Sequence, residues 1–231
     1  MKVSELFYSI QGEGKLLGVP SVFIRASGCN LRCSWCDTPY ASWDPQGEEQ
    51  SIATIVDRVL QMAGPAKHIV FTGGEPVIMH DAEELCTALK GRGFHITLET
   101  AATVYKPLAI DLVSLSPKLS NSTPTQREGG RFAAAHEKQR INLDTIQMFI
   151  DTTMDFQLKF VVSSPADVFE IEDLLGKLKR IMASDVQVMP EGIEPGVLVE
   201  RSVWLAEVCK EKGWRMSPRL HVMIWGNKRG T

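Results

Sequence analysis

Short apolar strands alternate with amphipathic helices along most of this chain, and that alternation restricts the folds open to it. Residues 22–25 (VFIR), 68–72 (HIVFT), 95–99 (HITLE), 112–116 (LVSLS), 157–163 (QLKFVVS) and 186–189 (VQVM) read as strands. Ile52, Ile55, Val56, Val59, Leu60 and Ala63 recur at helical spacing behind Ser51, a suitable N-cap, and predict a helix over 51–63. A second helix is expected over 81–90, with Asp81 and Glu84 at capping-box spacing. Others are expected over 142–152, from Ser164-Pro165 onward, and over 198–212. About six strand–helix steps imply parallel βαβ units, fewer than the eight of a closed barrel. The expected fold class is α/β: an incomplete TIM-like barrel of about six parallel strands with outer helices, in a single domain over residues 1–231. A flat doubly wound sheet is the alternative. Residues 120–140 break the pattern with proline, paired glycines and many charges, and read as a mobile loop or lid.

Composition removes several function classes. A net charge of −3 over 231 residues gives no large basic surface for nucleic acid. No apolar run reaches the roughly 18 residues of a membrane span. The opening MKVSELFYSIQGEG has neither an apolar signal core nor a cleavage site, so no export signal is expected. Five cysteines, three of them in one tight group, argue against a disulfide framework and for a reducing, cytoplasmic setting.

The unusual residues gather where the predicted strands end. The cysteines of SGCNLRCSWCDT (27–38) follow the first strand, and Thr72-Gly73-Gly74-Glu75-Pro76 follows the second. Glu99-Thr100, Ser116-Pro117-Lys118 and Met189-Pro190-Glu191-Gly192 end later ones. In parallel α/β folds the carboxyl ends of strands are where sites are built. Cys29, Cys33 and Cys36, spaced C-x3-C-x2-C, are close enough to converge on one metal centre. Structural zinc takes four ligands, usually in two separated pairs, and no second group is present. Cys86 shares an apolar helix face with Ala82, Leu85 and Leu89, and Cys209 shares one with Leu205, so both read as small buried hydrophobes. His221 is the one histidine placed to tempt a ligand assignment. A [4Fe–4S] cluster held by three thiolates leaves one iron open to a small molecule.

C-x3-C-x2-C after the first strand, with Gly73-Gly74-Glu75-Pro76 after the next, resembles the radical S-adenosylmethionine (SAM) enzymes. That resemblance implies a [4Fe–4S] cluster on Cys29, Cys33 and Cys36, with SAM cleaved to a 5′-deoxyadenosyl radical. Phe7-Tyr8-Ser9-Ile10-Gln11-Gly12-Glu13-Gly14, Phe23-Ile24-Arg25 and Trp35-Cys36-Asp37-Thr38 resemble the 7-carboxy-7-deazaguanine synthase family. So do segments 115–124, 157–162, 187–192 and 220–230. The implied reaction turns 6-carboxy-5,6,7,8-tetrahydropterin into 7-carboxy-7-deazaguanine with loss of ammonia, a step in queuosine and 7-deazapurine biosynthesis, with SAM regenerated. The resemblance implies that Ile10, Gln11, Gly12, Glu13, Arg25, Thr72 and Thr231 contact the substrate. It places Trp35, Cys36, Asp37, Gly73, Gly74, Glu75, Ser116, Pro117, Lys118 and Gln157 at SAM, and Thr38 on Mg2+. It further implies a homodimer and an electron donor such as flavodoxin, with no nucleic acid or membrane partner.

On residue type, a glutamate such as Glu13 accepts two hydrogen bonds from a pterin's amino-pyrimidine edge. Arg25 suits a carboxylate or a ring face. The family often has Glu-Thr-Asn-Gly-Thr after the third strand, whereas this chain has Glu99-Thr100-Ala101-Ala102-Thr103 and loses a polar side chain there. The rival readings are another radical SAM enzyme such as an activase, and a zinc-binding interaction module.

Overall fold

A computed structural model describes all residues, Met1–Thr231. The chain opens with an antiparallel pair, β1 (Lys2–Ile10) and β2 (Pro20–Ala26). A short helix α1 (Pro39–Ser42) and strand β3 (Glu48–Glu49) follow the cysteine loop. Helix α2 (Ile52–Ala63) then leads into β4 (His68–Gly73), and α3 (Ala82–Lys90) into β5 (His95–Thr100) and β6 (Leu112–Leu115). Helices α4 (Ala133–Gln139) and α5 (Leu143–Thr152) precede β7 (Asp155–Val162). The remainder is α6 (Pro165–Leu175), β8 (Val186–Pro190), α7 (Pro195–Lys212), β9 (Arg215–Met216) and α8 (Leu220–Trp225). No helix is long and apolar enough to cross a membrane.

One sheet holds every strand, in the order β3-β1-β2-β4-β5-β6-β7-β8-β9. From β2 to β9 all pairings are parallel and strictly sequential. A doubly wound sheet would reverse its strand order at a switch point. This one never reverses and its two edges do not meet, so the architecture is the open, partial barrel expected from the strand–helix count. Ile24, Ile69, Phe71, Ile96, Leu98, Leu115, Leu158 and Phe160 are at most 0% exposed and form the centre of the core.

Local chemistry explains most boundaries. Ser51 accepts a hydrogen bond from the Thr54 amide at 3.1 Å and caps α2, whose Ile55, Val56 and Val59 are buried. Leu60, which the helical spacing put on the same face, is 45% exposed at its margin. Asp167 accepts from the Ser163 and Ser164 amides at 2.7 and 2.9 Å and completes a capping box ahead of Pro165. Asp81 does not cap α3; its carboxylate pairs with the N-terminal amine at 3.1 Å instead. Cys86 and Cys209 are buried against apolar neighbours, as small hydrophobes.

Two elements depart from the sequence reading. Strand β1 was not expected, because Lys2–Ile10 shows no clean alternation and carries an irregularity between Val3 and Glu5. Residues 120–140 contain two short 3₁₀ turns and α4 rather than one featureless loop. His136 on α4 is buried, accepts from the Arg32 amide at 3.1 Å and meets Ser122 Oγ at 2.8 Å. The segment therefore packs on the cysteine loop, and none of residues 120–140 lines the barrel mouth.

His68, buried between Ser21 Oγ at 2.6 Å and Thr97 Oγ1 at 2.7 Å, ties β2, β4 and β5 together. Burial holds its pKa down at about 4. The unfolded chain therefore binds one more proton than the folded chain between pH 6.5 and 4, and stability falls as pH drops through that window. In urea titrations of the wild type and His68→Asn, the wild type is expected to show the steeper loss, by about one proton's slope.

Candidate active site

The cysteine loop is held from beneath by the segment after β4. The Gly74 amide donates to Ala26 O at 3.1 Å, and the Glu75 amide to Gly28 O at 2.9 Å. A Cβ on Gly74 would stand 2.1 Å from Gly28 O and 2.4 Å from Ala41 O. Only glycine permits that approach, so the two loops are fixed against each other at backbone level.

Glu75 is fully buried, and its carboxylate accepts from Thr100 Oγ1 (2.7 Å), the Ala101 amide (2.8 Å) and the Val77 amide (3.2 Å). Burial raises its pKa against those three bonds. It therefore does not line the cavity as a SAM contact; it stands behind the wall and shapes the loop after β5. The same bonds hold the Ala101-Ala102 turn, where Ala102 sits at φ 56° without a glycine. Pro117 is likewise buried behind the rim and is absent from the cavity wall.

The cavity opens at the carboxyl ends of the parallel strands and is lined by Cys29, Cys33 and Cys36 together. All three are free thiols. Burial pushes Cys29 and Cys33 up to about 12. Ser42 Oγ lies 3.1 Å from Cys36 Sγ, and the Leu31 amide lies 3.3 Å from Cys29 Sγ. Leu31 and Ala101 form an apolar wall beside them. Trp35, Asp37, Thr38, Gly73, Gly74, Ser116 and Lys118 also line this space, as do Ile10, Gln11, Gly12, Glu13, Arg25, Thr72 and Thr231.

Gln157 does not. Side chains alternate along a strand, so Gln157 sits one inward layer below Lys159. There its Oε1 accepts from the Lys15 amide (2.7 Å) and Gln187 Nε2 (2.8 Å), while Nε2 donates to Ser114 Oγ (2.7 Å). These three bonds hold the QGEG turn to the barrel floor, below the cavity wall.

Opposite the thiols lies a buried charge network. Glu13 Oε2 is 2.6 Å from Lys159 Nζ, and Glu13 Oε1 is 3.2 Å from Arg219 Nε. Lys159 also reaches Glu99 at 2.9 Å, and Arg219 pairs with Asp37. Burial alone would raise the Glu13 carboxyl; the nearby Lys159 and Arg219 cations outweigh it and hold the group ionised. Burial likewise works against the charge on Lys159 and Arg219, and their carboxylate neighbours hold both protonated. His221 packs over Gly12 so closely that a Cβ there would stand 2.1 Å from Nδ1; burial lowers its pKa.

At the rim, Arg25 Nε donates to Glu5 Oε2 at 2.7 Å, and Tyr40 OH donates to the same oxygen at 2.8 Å. Arg229 donates to Glu5 Oε1 at 3.1 Å and lies over the Tyr40 ring at 3.8 Å. Glu5 thus links the inward-facing Arg25 to the C-terminal tail. Lys159, Arg219 and Glu5 were missed in the sequence, and Glu99 was placed at a strand end without a role. Lys159 had a signal: a lysine at an inward position of an apolar strand needs carboxylate partners.

The family model for the Radical SAM superfamily matches residues 23–119. The solved structure of QueE from Escherichia coli shares the fold at TM-score 0.70 and 24% identity, covering 95% of this chain and 94% of that one. An open parallel barrel with three thiols at its carboxyl rim is thus that of a radical SAM protein. Along its full length the chain is 44% identical to 7-carboxy-7-deazaguanine synthase of Halobacterium salinarum, covering 100% of this chain and 93% of that one. It is 42% identical to that of Rhodopirellula baltica, covering 99% and 88%. The chain belongs to the 7-carboxy-7-deazaguanine synthase family.

A radical SAM protein uses a [4Fe–4S] cluster and SAM, and the residues here fit both. No three His, Cys, Asp or Glu side chains are arranged around a single ion. A cubane takes each thiolate on a different iron, so three thiols spread around one cavity suit it. Thiols that burial keeps protonated need a strong cationic centre to ionise them, which iron supplies.

Removing Lys159 would strand Glu99 and leave Glu13 with Arg219 as its only cation. Lys159→Met is expected to cost about 3–5 kcal/mol. Adding Glu99→Gln to it should restore part of that loss. Urea midpoints of the two variants check this, and equal midpoints would contradict it.

Proposed function

We propose that this chain converts 6-carboxy-5,6,7,8-tetrahydropterin to 7-carboxy-7-deazaguanine with loss of ammonia, using SAM as a regenerated cofactor. The observation that carries the reading is Glu13. A carboxylate held ionised by Lys159 and Arg219 lines the same cavity as the three thiols. Each Glu13 oxygen has spent one lone pair on a cation and keeps another for the amino-pyrimidine edge of a pterin. Its family membership supports the product, and the strand-end placement of the motifs supports a site for radical chemistry.

Cys29, Cys33 and Cys36 would hold the cluster, which together with SAM would supply the radical chemistry needed at C6 of the pterin. The protein's own work is orientation and exclusion of water. Glu5 engages Arg25 only through Nε, which leaves the terminal nitrogens as a fork for the pterin carboxylate. Ile10, Gln11, Gly12 and Thr72 complete the substrate wall, and Thr231 closes it from the C-terminal tail. Thr38, 3.9 Å from Cys36 Sγ, would offer its hydroxyl to Mg2+, which takes oxygen ligands.

The Gly73 and Gly74 backbone, with Trp35, Asp37, Ser116 and Lys118, forms the SAM side. Lys118 Nζ donates to Ser116 O (2.8 Å) and Oγ (2.7 Å), which aims a cation along this wall. Pro117 and Glu75 support the wall from behind. A homodimer, a flavodoxin-type electron donor and a cytoplasmic setting belong to the same reading and rest on the family resemblance.

The test is a product assay with the anaerobically reconstituted protein, SAM, Mg2+, a reductant and the carboxytetrahydropterin. Mass spectrometry is expected to show the deazapurine, with none formed by Cys33→Ala. Release of 5′-deoxyadenosine without deazapurine would overturn the substrate and keep the radical chemistry.

A further inference from the structure

The outer side of the cysteine loop carries an arrangement of cations and aromatic rings that the cavity chemistry does not use. Arg32 NH1 donates to Cys29 O at 2.7 Å and Leu31 O at 2.8 Å. Arg127 NH1 donates to Ser34 O at 3.2 Å. Trp43 Nε1 donates to Cys33 O at 3.0 Å. The rings and cations then stack on one another. Arg127 lies 3.9 Å over Trp43, Phe132 meets Trp43 edge-on at 5.5 Å, and Arg32 lies 5.5 Å from the Phe132 ring. None of these four side chains lines the cavity.

Arg32 and Arg127 have no carboxylate partner. Most cations elsewhere near the barrel mouth do: Arg25, Lys159, Arg219 and Arg229 each pair with one. Stacking on aromatic faces fixes the two guanidiniums in place while leaving their charge uncompensated. The turn that presents Arg127 is built for it. Glu128, Gly129 and Gly130 follow at φ 50°, 66° and 74°, all in the left-handed region. Beyond the turn, Arg131 lies over the same Phe132 ring at 4.5 Å, and Lys138 follows on α4. Lys138 is exposed and unpaired, and Arg131 has only the exposed Glu128 at 2.5 Å, a pairing that solvent screens.

We propose that Arg32, Arg127, Arg131 and Lys138 form the docking surface for an acidic one-electron carrier protein. The inference rests on the radical SAM reading, which needs the cluster reduced by one electron before SAM can be cleaved. The carrier is oxidised by one electron and the cluster is reduced by one, with no bond made or broken. The inner face of the cysteine loop looks onto the SAM and substrate cavity, so the electron enters through the outer face. There the loop's own carbonyls are bound by these arginines. The chain as a whole is at −3, so attraction for an acidic partner has to be local. Such pairing governs encounter and weakens with salt.

The test uses the reconstituted protein and a purified flavodoxin as the acidic carrier. Binding is measured by calorimetry at several salt concentrations. Lys138→Glu, an exposed change with no bond to lose, and Arg127→Glu are compared with wild type. Both variants are expected to weaken flavodoxin binding by about tenfold at low salt and to flatten its salt dependence. Uncoupled release of 5′-deoxyadenosine in the absence of the pterin, driven by dithionite, a small reductant that needs no docking, should stay within about twofold of wild type. Unchanged affinity and salt slope in both variants would overturn the proposal. So would an equal loss of turnover with dithionite and with flavodoxin, which would make Arg127 a structural support of the loop. If dithionite yields no 5′-deoxyadenosine in the wild type, the radical chemistry fails, and the binding data still decide the surface.

Discussion

The structure depends on a backbone contact: Gly74 lies against the carbonyls of Gly28 and Ala41 with no room for a side chain. It fixes the cysteine loop to the end of β4. Through Glu75, the next residue, the same segment fixes the loop after β5. Three strand ends are thereby locked into one rim. The thiols inherit their positions from that rim, with the Leu31 amide and Ser42 hydroxyl orienting two of them. The sequential parallel order of the sheet is what makes the rim possible, because every strand from β2 onward delivers its carboxyl end to the same side.

Across the cavity, electrostatics perform the matching task. Glu13, Glu99 and Asp37 are balanced by Lys159 and Arg219, and all but Asp37 are largely withdrawn from water. Such a network is costly to desolvate and is weak support for stability by itself. Its value lies in keeping Glu13 ionised inside a closed site. At the rim, Glu5 connects Arg25 to Arg229, so the barrel mouth and the C-terminal tail share one carboxylate. The side facing solvent is arranged differently, with guanidiniums stacked on rings and left without counter-charges.

Much of the barrel was legible because its strands are buried and short, and its helices carry a regular apolar stripe. Residues 22–25 and 68–72 signalled themselves in this way. Strand β1 did not, since an antiparallel edge-side strand with a bulge shows no period. Helix α4 was hidden by its polar composition, and its one buried contact, through His136, reads as an ordinary loop histidine. The cysteines and glycines of the site were legible because their spacing is local. Lys159 and Arg219 were not, because their partner Glu13 lies 146 and 206 residues away. Gln157 and Glu75 were misplaced for a related reason. Each stands next to the site in sequence, but Gln157 lies one layer deeper in the barrel and a turn places Glu75 behind the cavity wall.

The central claim is that three thiols at this rim hold a four-iron cluster with one iron open to SAM. Mössbauer spectroscopy of protein reconstituted with 57Fe tests it most directly. The account predicts a [4Fe–4S] spectrum in which one iron separates from the other three when SAM is added. Four equivalent irons unaffected by SAM, or a colourless protein that takes up only zinc, would contradict it.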